Sequence, residues 1–237
     1  MVQNPGRHSI SLRTRGKLPM GRNLERLTID RRHPARETIG RAVDVLRSGG
    51  VVAFPTDTVF GLAAPATDEG ARTLAEVKGR MDDKRFLIAL LDVPRQGQWI
   101  EPIAPHIQKA ISVLWPQKVS LLLPAGPAVG RELRDPHDRV GLRRAADALT
   151  RALAAALEGA VISTSANLSG APPASSADEV AGELLGRIDL ILDGGDSPSG
   201  ALPTTVVDFV AATPRIVRQG ACSPDRIAEL LGYELDH

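Results

Sequence analysis

Apolar positions along the 237-residue chain alternate between a helical spacing and short strand-like runs. Ile39, Ala42, Val43 and Leu46 fall at i, i+3, i+4 and i+7, which predicts an amphipathic helix over residues 36–48 that Gly49-Gly50 ends. Residues 51–54 form a β-branched run closed by Pro55, and residues 60–65 a second one; both read as buried strands. Asp68 is the expected N-cap of a helix carrying Ala71, Leu74, Ala75 and Lys78. Further strands are predicted over 86–91, 119–123, 139–143, 160–163, 190–192, 205–210 and 215–218. Helical stripes recur at Ile107, Ala110, Ile111 and Leu114, stopped by Trp115-Pro116, and at Leu149, Leu153 and Leu157. Ser176 to Glu179 has capping-box spacing, and Ser223-Pro224 opens a last helix that runs to about Gly232.

Strands that alternate with helices predict an α/β layered fold. The short link Thr213-Pro214 between two strands requires some antiparallel pairing, so the expectation is a twisted mixed sheet with flanking helices. The chain is long enough for one substantial core, with 43% apolar residues. Residues 1–33 hold Arg7, Arg13, Arg15, Lys17, Arg22, Arg26, Arg31 and Arg32 against Glu25 and Asp30. They read as a basic, flexible N-terminal tail ahead of a single domain over 34–237.

Composition removes several classes of chemistry. One cysteine, Cys222, allows no internal disulfide and no cysteine metal cage, and the five histidines lack metal-ligand spacing. No metal site is therefore expected. No apolar run reaches the ~18 residues a membrane span needs, so no membrane contact and a cytoplasmic location are expected. A formal net charge of +1 and 3% aromatic residues disfavour a protein whose main business is stacking or attracting nucleic acid.

Candidate chemistry concentrates in Ser163-Thr164-Ser165-Ala166-Asn167-Leu168-Ser169-Gly170, between the apolar Ala160-Val161-Ile162 and Ala171-Pro172-Pro173. Short hydroxyls and backbone N–H groups at a strand's carboxyl end suit phosphate oxygens. The same residues also make ordinary turns. Further segments follow a fixed order: Gly49-Gly50 through Pro55-Thr56-Asp57-Thr58-Val59-Phe60-Gly61-Leu62, Lys78-Gly79-Arg80, Val140-Gly141-Leu142-Arg143, Asp193-Gly194-Gly195, Pro203-Thr204-Thr205-Val206-Val207-Asp208 and Arg218-Gln219-Gly220. This ordered series, spanning about 38–221, resembles the YrdC-like family of L-threonylcarbamoyladenylate synthases.

The resemblance implies a YrdC-like fold with a concave, positively charged cavity. It implies a nucleotidyltransferase that joins L-threonine, bicarbonate and ATP into threonylcarbamoyl-AMP for tRNA modification. Mg2+ is expected with the nucleotide, and a threonylcarbamoyl transferase complex as partner. Carried over residue by residue, the catalytic set is Lys78, Arg80, Arg143, Ser165 and Asn167. The ATP contacts are Lys78, Arg80, Lys84, Arg139, Ser165, Asn167 and Arg218, and the threonine contacts Thr56, Thr58, Arg143, Ser163 and Thr204. Cations and fixed N–H dipoles fit such a reaction better than a nucleophile does, because it requires orientation and charge neutralisation. Each assignment has a plainer alternative: a solvated helix end for Lys78 and Arg80, surface charge for Lys84 and Arg139.

The chain departs from the family pattern at Phe60 (usually tyrosine), Met81 (usually proline), Arg85-Phe86, the loop 116–120, Arg144-Ala145 and Thr204 (usually serine). A divergent YciO-like paralogue therefore stays open, as does a non-catalytic double-stranded RNA-binding protein on the same fold, with RNA as its partner. A hydrogenase-maturation module is disfavoured because no C-x-x-C is present.

Overall fold

A computed structural model describes residues 24–79, 86–92, 98–115, 117–198, 200–211 and 213–235. Ten strands among them form one sheet. In chain order the elements are β1 (Glu25–Thr28), α1 (Arg36–Arg47), β2 (Val52–Pro55), β3 (Phe60–Pro65), α2 (Asp68–Lys78), β4 (Leu87–Leu90), α3 (Pro105–Leu114) and β5 (Val119–Pro124). A 3-10 turn (Arg131–Leu133), β6 (Arg139–Arg144), α4 (Ala148–Ala156), β7 (Ala160–Ser165), α5 (Ala177–Leu184), β8 (Leu190–Asp193), β9 (Thr205–Asp208), β10 (Arg215–Arg218) and α6 (Pro224–Leu231) follow.

The sheet order is β1-β8-β2-β3-β7-β4-β6-β5-β9-β10. Pairs β1/β8, β2/β8, β4/β6 and β5/β9 are parallel, and β2/β3, β3/β7, β4/β7, β5/β6 and β9/β10 antiparallel. The expected mixed sheet is thus the fold. Period-2 alternation sends neighbouring residues to opposite faces. Val52, Phe54, Ala63, Ala89 and Val161 pack with Ile39, Leu46 and Leu149 from α1 and α4. Ala53, Leu62, Ile88 and Ile162 pack on the other face with Leu74, Ile111, Val180 and Ile227 from α2, α3, α5 and α6. Phe54 and Phe60 are fully buried, each stabilising the fold by about 1.5–3 kcal/mol through burial.

Local chemistry adjusts several expected boundaries. Thr67, not Asp68, caps α2, its hydroxyl accepting from Gly70 N. Asp68 accepts instead from Glu132 N at 2.9 Å, tying α2 to the 3-10 turn. Strand β9 ends at Asp208 because the Asp208 carboxylate turns the chain by accepting from Val210 N and Ala211 N. Strand β7 runs on to Ser165, since Gly61 and Leu62 of β3 pair with Ser165 and Thr164. The first three residues of the hydroxyl-rich segment are therefore strand.

The boundary of the N-terminal tail also moves. Residues 25–28 form the edge strand β1, paired in parallel with β8 and held by Arg26 to Asp193 and Arg41 to Glu25. Residues 1–23 of the expected tail lie outside the described residues.

Candidate active site

The turn between β2 and β3 is built around one hydroxyl. Thr56 Oγ1 donates to Val59 O at 2.7 Å and accepts from Thr58 N at 3.1 Å. Its single proton is thereby committed, so the 3.0 Å contact with Thr58 Oγ1 has Thr58 as donor. The Thr58 oxygen keeps its lone pairs as acceptors. Both threonines are buried. Between them, Asp57 Oδ2 accepts from Arg143 Nη2 at 2.7 Å, across from β6. The Arg143 Nε is buried with no partner among the described residues. A desolvated, unpaired guanidinium N–H is costly unless a ligand supplies its acceptor.

Thr56, Thr58, Arg143, Ser163, Ser165, Thr204 and Arg218 line one cavity of about 140 Å³. Strand parity puts Ser163 and Ser165 on the face of Val161, the one α1 and α4 cover further along the sheet. Arg218 donates to Thr204 O at 2.8 Å, and the Thr204 hydroxyl lies 2.8 Å from the buried Ser120 Oγ. Burial lowers the Arg218 pKa from the usual arginine value. Two guanidinium groups therefore line the cavity, one of them paired to the Asp57 carboxylate. Such a hollow suits a small zwitterion or carboxylate with a hydroxyl to be read. A larger hollow of about 700 Å³ at the opposite end of the sheet, around Gly50, Pro65, Gly70 and Glu158, contains none of the expected site residues.

Beyond Ser165 the chain bends around Lys78. The Lys78 ammonium is buried and donates to Ser165 O at 2.6 Å, Asn167 O at 2.9 Å and Asn167 Oδ1 at 3.1 Å. Ser165 Oγ donates to Asn167 Oδ1, and Asn167 Nδ2 donates to Leu168 O and Ala171 O. Glu183 Oε1 and Lys78 O accept from Leu168 N and Ser169 N. Helix α2, ended by the left-handed Gly79, delivers the lysine to this bend. Lys78 and Asn167 thus hold the bend beside the cavity, and Ser165 links bend and cavity.

Arg139 stands apart from the other expected site residues. It lies outside the cavity lining, donating to Asp135 Oδ2 at 2.6 Å and Asp208 Oδ2 at 2.5 Å. Asp208 is fully buried, and a buried carboxylate demands a paired cation. Burial pushes the Asp135 carboxyl up, but hydrogen bonds from the Arg139 backbone and side chain and from His137 N outweigh it and leave its pKa below the ordinary value. Arg80 and Lys84 lie outside the described residues. Asp57, Val59, Gly61, Leu87 and Pro203 join the site without having been expected there. Asp57 stood in the quoted segment between two threonines, and an acid beside hydroxyls facing a strand-end arginine was the available signal.

Among the described residues no three His, Cys, Asp or Glu side chains are grouped to hold a metal, and no helix is long and apolar enough to cross a membrane.

A family model for Sua5/YciO/YrdC proteins, described as telomere recombination, matches residues 44–220. The threonylcarbamoyl-AMP synthase of Pyrococcus abyssi is 32% identical over 192 residues, covering 81% of this chain and 56% of its own length. The threonylcarbamoyl-AMP synthase of Stenotrophomonas maltophilia is 34% identical over 177 residues, covering 73% of this chain and 95% of its own. Among solved structures, P. abyssi Sua5 complexed with L-threonine superposes with a TM-score of 0.81 at 29% identity, covering 91% of this chain and 62% of that one. The chain therefore spans little more than half of the archaeal relative and nearly all of the bacterial one.

Proposed function

The chain belongs to the Sua5/YciO/YrdC family, and we propose that it makes threonylcarbamoyl-AMP from L-threonine, bicarbonate and ATP. The observation that carries this reading is the buried Arg143 Nε, unpartnered among the described residues, at a small cavity walled by Thr56, Thr58 and Thr204. Arg143 binds the threonine carboxylate, and Thr58 accepts a hydrogen bond from the substrate's hydroxyl or amine. The amine attacks bicarbonate, water leaves, and a carbamate forms. A carbamate oxygen then attacks the α-phosphorus of ATP and pyrophosphate departs. No protein nucleophile takes part; the site holds three substrates in line and neutralises their charge.

Arg218 and the bend of Ser165 and Asn167 form the nucleotide side, with Arg80 and Lys84 as further phosphate contacts and Lys78 as the cation that shapes the bend. Mg2+ accompanies the triphosphate as part of the substrate. The product is a mixed anhydride that water destroys, so a threonylcarbamoyl transferase complex that acts on tRNA consumes it in the cytoplasm. Support comes from relatives named as synthases; neither they nor the cavity lend weight to a non-catalytic RNA binder.

The test is incubation with L-threonine, bicarbonate, MgATP and pyrophosphatase, followed by chromatography for the adenylate. Wild type is expected to form it and R143A to lose it. A wild-type chain that forms none overturns the assignment.

A further inference from the structure

Arg31 lies in the segment between β1 and α1, within the stretch that reads from sequence as a tail. Its guanidinium reaches the back of the β2–β3 turn: Nη2 donates to Thr56 O, and Nη1 to Asp196 O at 3.4 Å. Its stem crosses Gly194, where an added Cβ would lie 2.5 Å from Arg31 Cγ and 3.0 Å from Pro55 Cγ. Glycine at 194 is what lets the arginine pass. The Thr56 carbonyl belongs to the planar peptide that leads into Asp57. Asp57 in turn holds Arg143, which lines the cavity.

We propose that Arg31 is a positioning residue for the amino-acid end of the cavity: by fixing the Thr56–Asp57 peptide it aims the Asp57 carboxylate that orients Arg143. The inference rests on the functional reading above for the identity of the ligand. It adds a residue that touches no substrate, and a glycine whose role is to admit it. Removing the guanidinium frees the turn at its carbonyl, so Arg143 loses its fixed direction. The nucleotide side, held by Lys78 of α2 and Asn167 of the bend after β7, has separate supports.

The experiment measures L-threonine binding by calorimetry, the KM for L-threonine and for ATP, and the melting temperature. It compares the full chain with R31Q, R31K, G194A and R31Q/G194A. R31Q and G194A are each expected to weaken L-threonine about tenfold, the scale of one charge-assisted hydrogen bond. The KM for ATP stays within about twofold in both, since its supports lie elsewhere. The double variant is no weaker than R31Q, because both changes break one contact. R31K recovers part of the loss. Unchanged threonine affinity in R31Q and G194A overturns the proposal. So does an equal loss for threonine and ATP with a lowered melting temperature, which marks general damage. If R31Q does not fold, G194A and R31K give the same readout. A wild type that binds L-threonine but forms no adenylate sinks the synthase reading while leaving Arg31 testable by calorimetry. A wild type that binds no L-threonine overturns both.

Discussion

Arg143 and Asp57 form a half-buried ion pair that uses only one edge of the guanidinium: Nη2 lies 2.7 Å from Asp57 Oδ2, and Nε has no partner among the described residues. A free arginine would scatter its donors over many rotamers. The carboxylate instead fixes the guanidinium plane and leaves donors directed at the cavity, which is preorganisation for an anionic ligand. Arg143→Lys keeps a charge but offers no planar fork. It is expected to raise the KM for L-threonine at least about tenfold, with thermal stability near wild type. Asp57→Asn keeps an acceptor for Nη2 without the charge and is expected to show a smaller rise. Steady-state kinetics with L-threonine varied at saturating ATP measures both.

Lys78 offers a contrasting case, because its ammonium already donates to three oxygens of the 165–167 bend. Lys78→Met fills similar volume but leaves those acceptors without their cation. It is expected to cost about 1–3 kcal/mol in urea unfolding, the scale for leaving buried acceptors without their donor. It should also lower kcat/KM for ATP as the bend loosens. A stability equal to wild type with lost activity would mean instead that the lysine serves the nucleotide directly.

What could be read in advance followed from local pattern. The stripe Ile39, Ala42, Val43, Leu46 predicts α1 to within a residue of its end, and β3 begins and ends where the apolar run does. Cavity residues on strand ends, Thr56, Thr58, Arg143 and Ser163, were visible because an ordered series of short segments marked them. Tertiary partners were not visible. Strand β1 has four residues with one apolar side chain, Leu27, too little signal to separate it from a basic tail. Whether Arg139 faces phosphate or a carboxylate depends on Asp208, which lies on a strand 69 residues away. Arg31 reaches Thr56 over 25 residues, passing Gly194 so closely that a Cβ there would crowd its stem.

Asp135 makes a pH-dependent contribution whose sign follows from its depressed pKa. Burial works against the charged form, but the hydrogen bonds from Arg139 and His137 prevail, so the folded-state value lies below the ordinary 3.8. The stabilisation is fully present above that ordinary value and is lost as the pH falls through the lower folded-state value. Asp135→Asn is therefore expected to melt below wild type at neutral pH. The gap should stay nearly constant down to about pH 5 and close below pH 4, where wild type protonates as well. Melting curves between pH 7 and pH 2.5 decide the matter.

The pair of Arg139 with the fully buried Asp208 separates a structural cation from a nucleotide-binding one. Arg139→Met leaves the Asp208 carboxylate buried with only the exposed Arg215 at 3.7 Å, and is expected to destabilise by about 3–5 kcal/mol. Arg139→Met/Asp208→Asn removes the uncompensated charge, while the asparagine oxygen still accepts from Val210 N and Ala211 N to keep the turn after β9. The double variant should regain more than about 1 kcal/mol over the single one, since most of the cost is a stranded charge. Because Arg139 lies outside the cavity, the KM for ATP in the double variant is expected to stay within about threefold of wild type. A much larger rise in that KM, with stability restored, would return Arg139 to the phosphates.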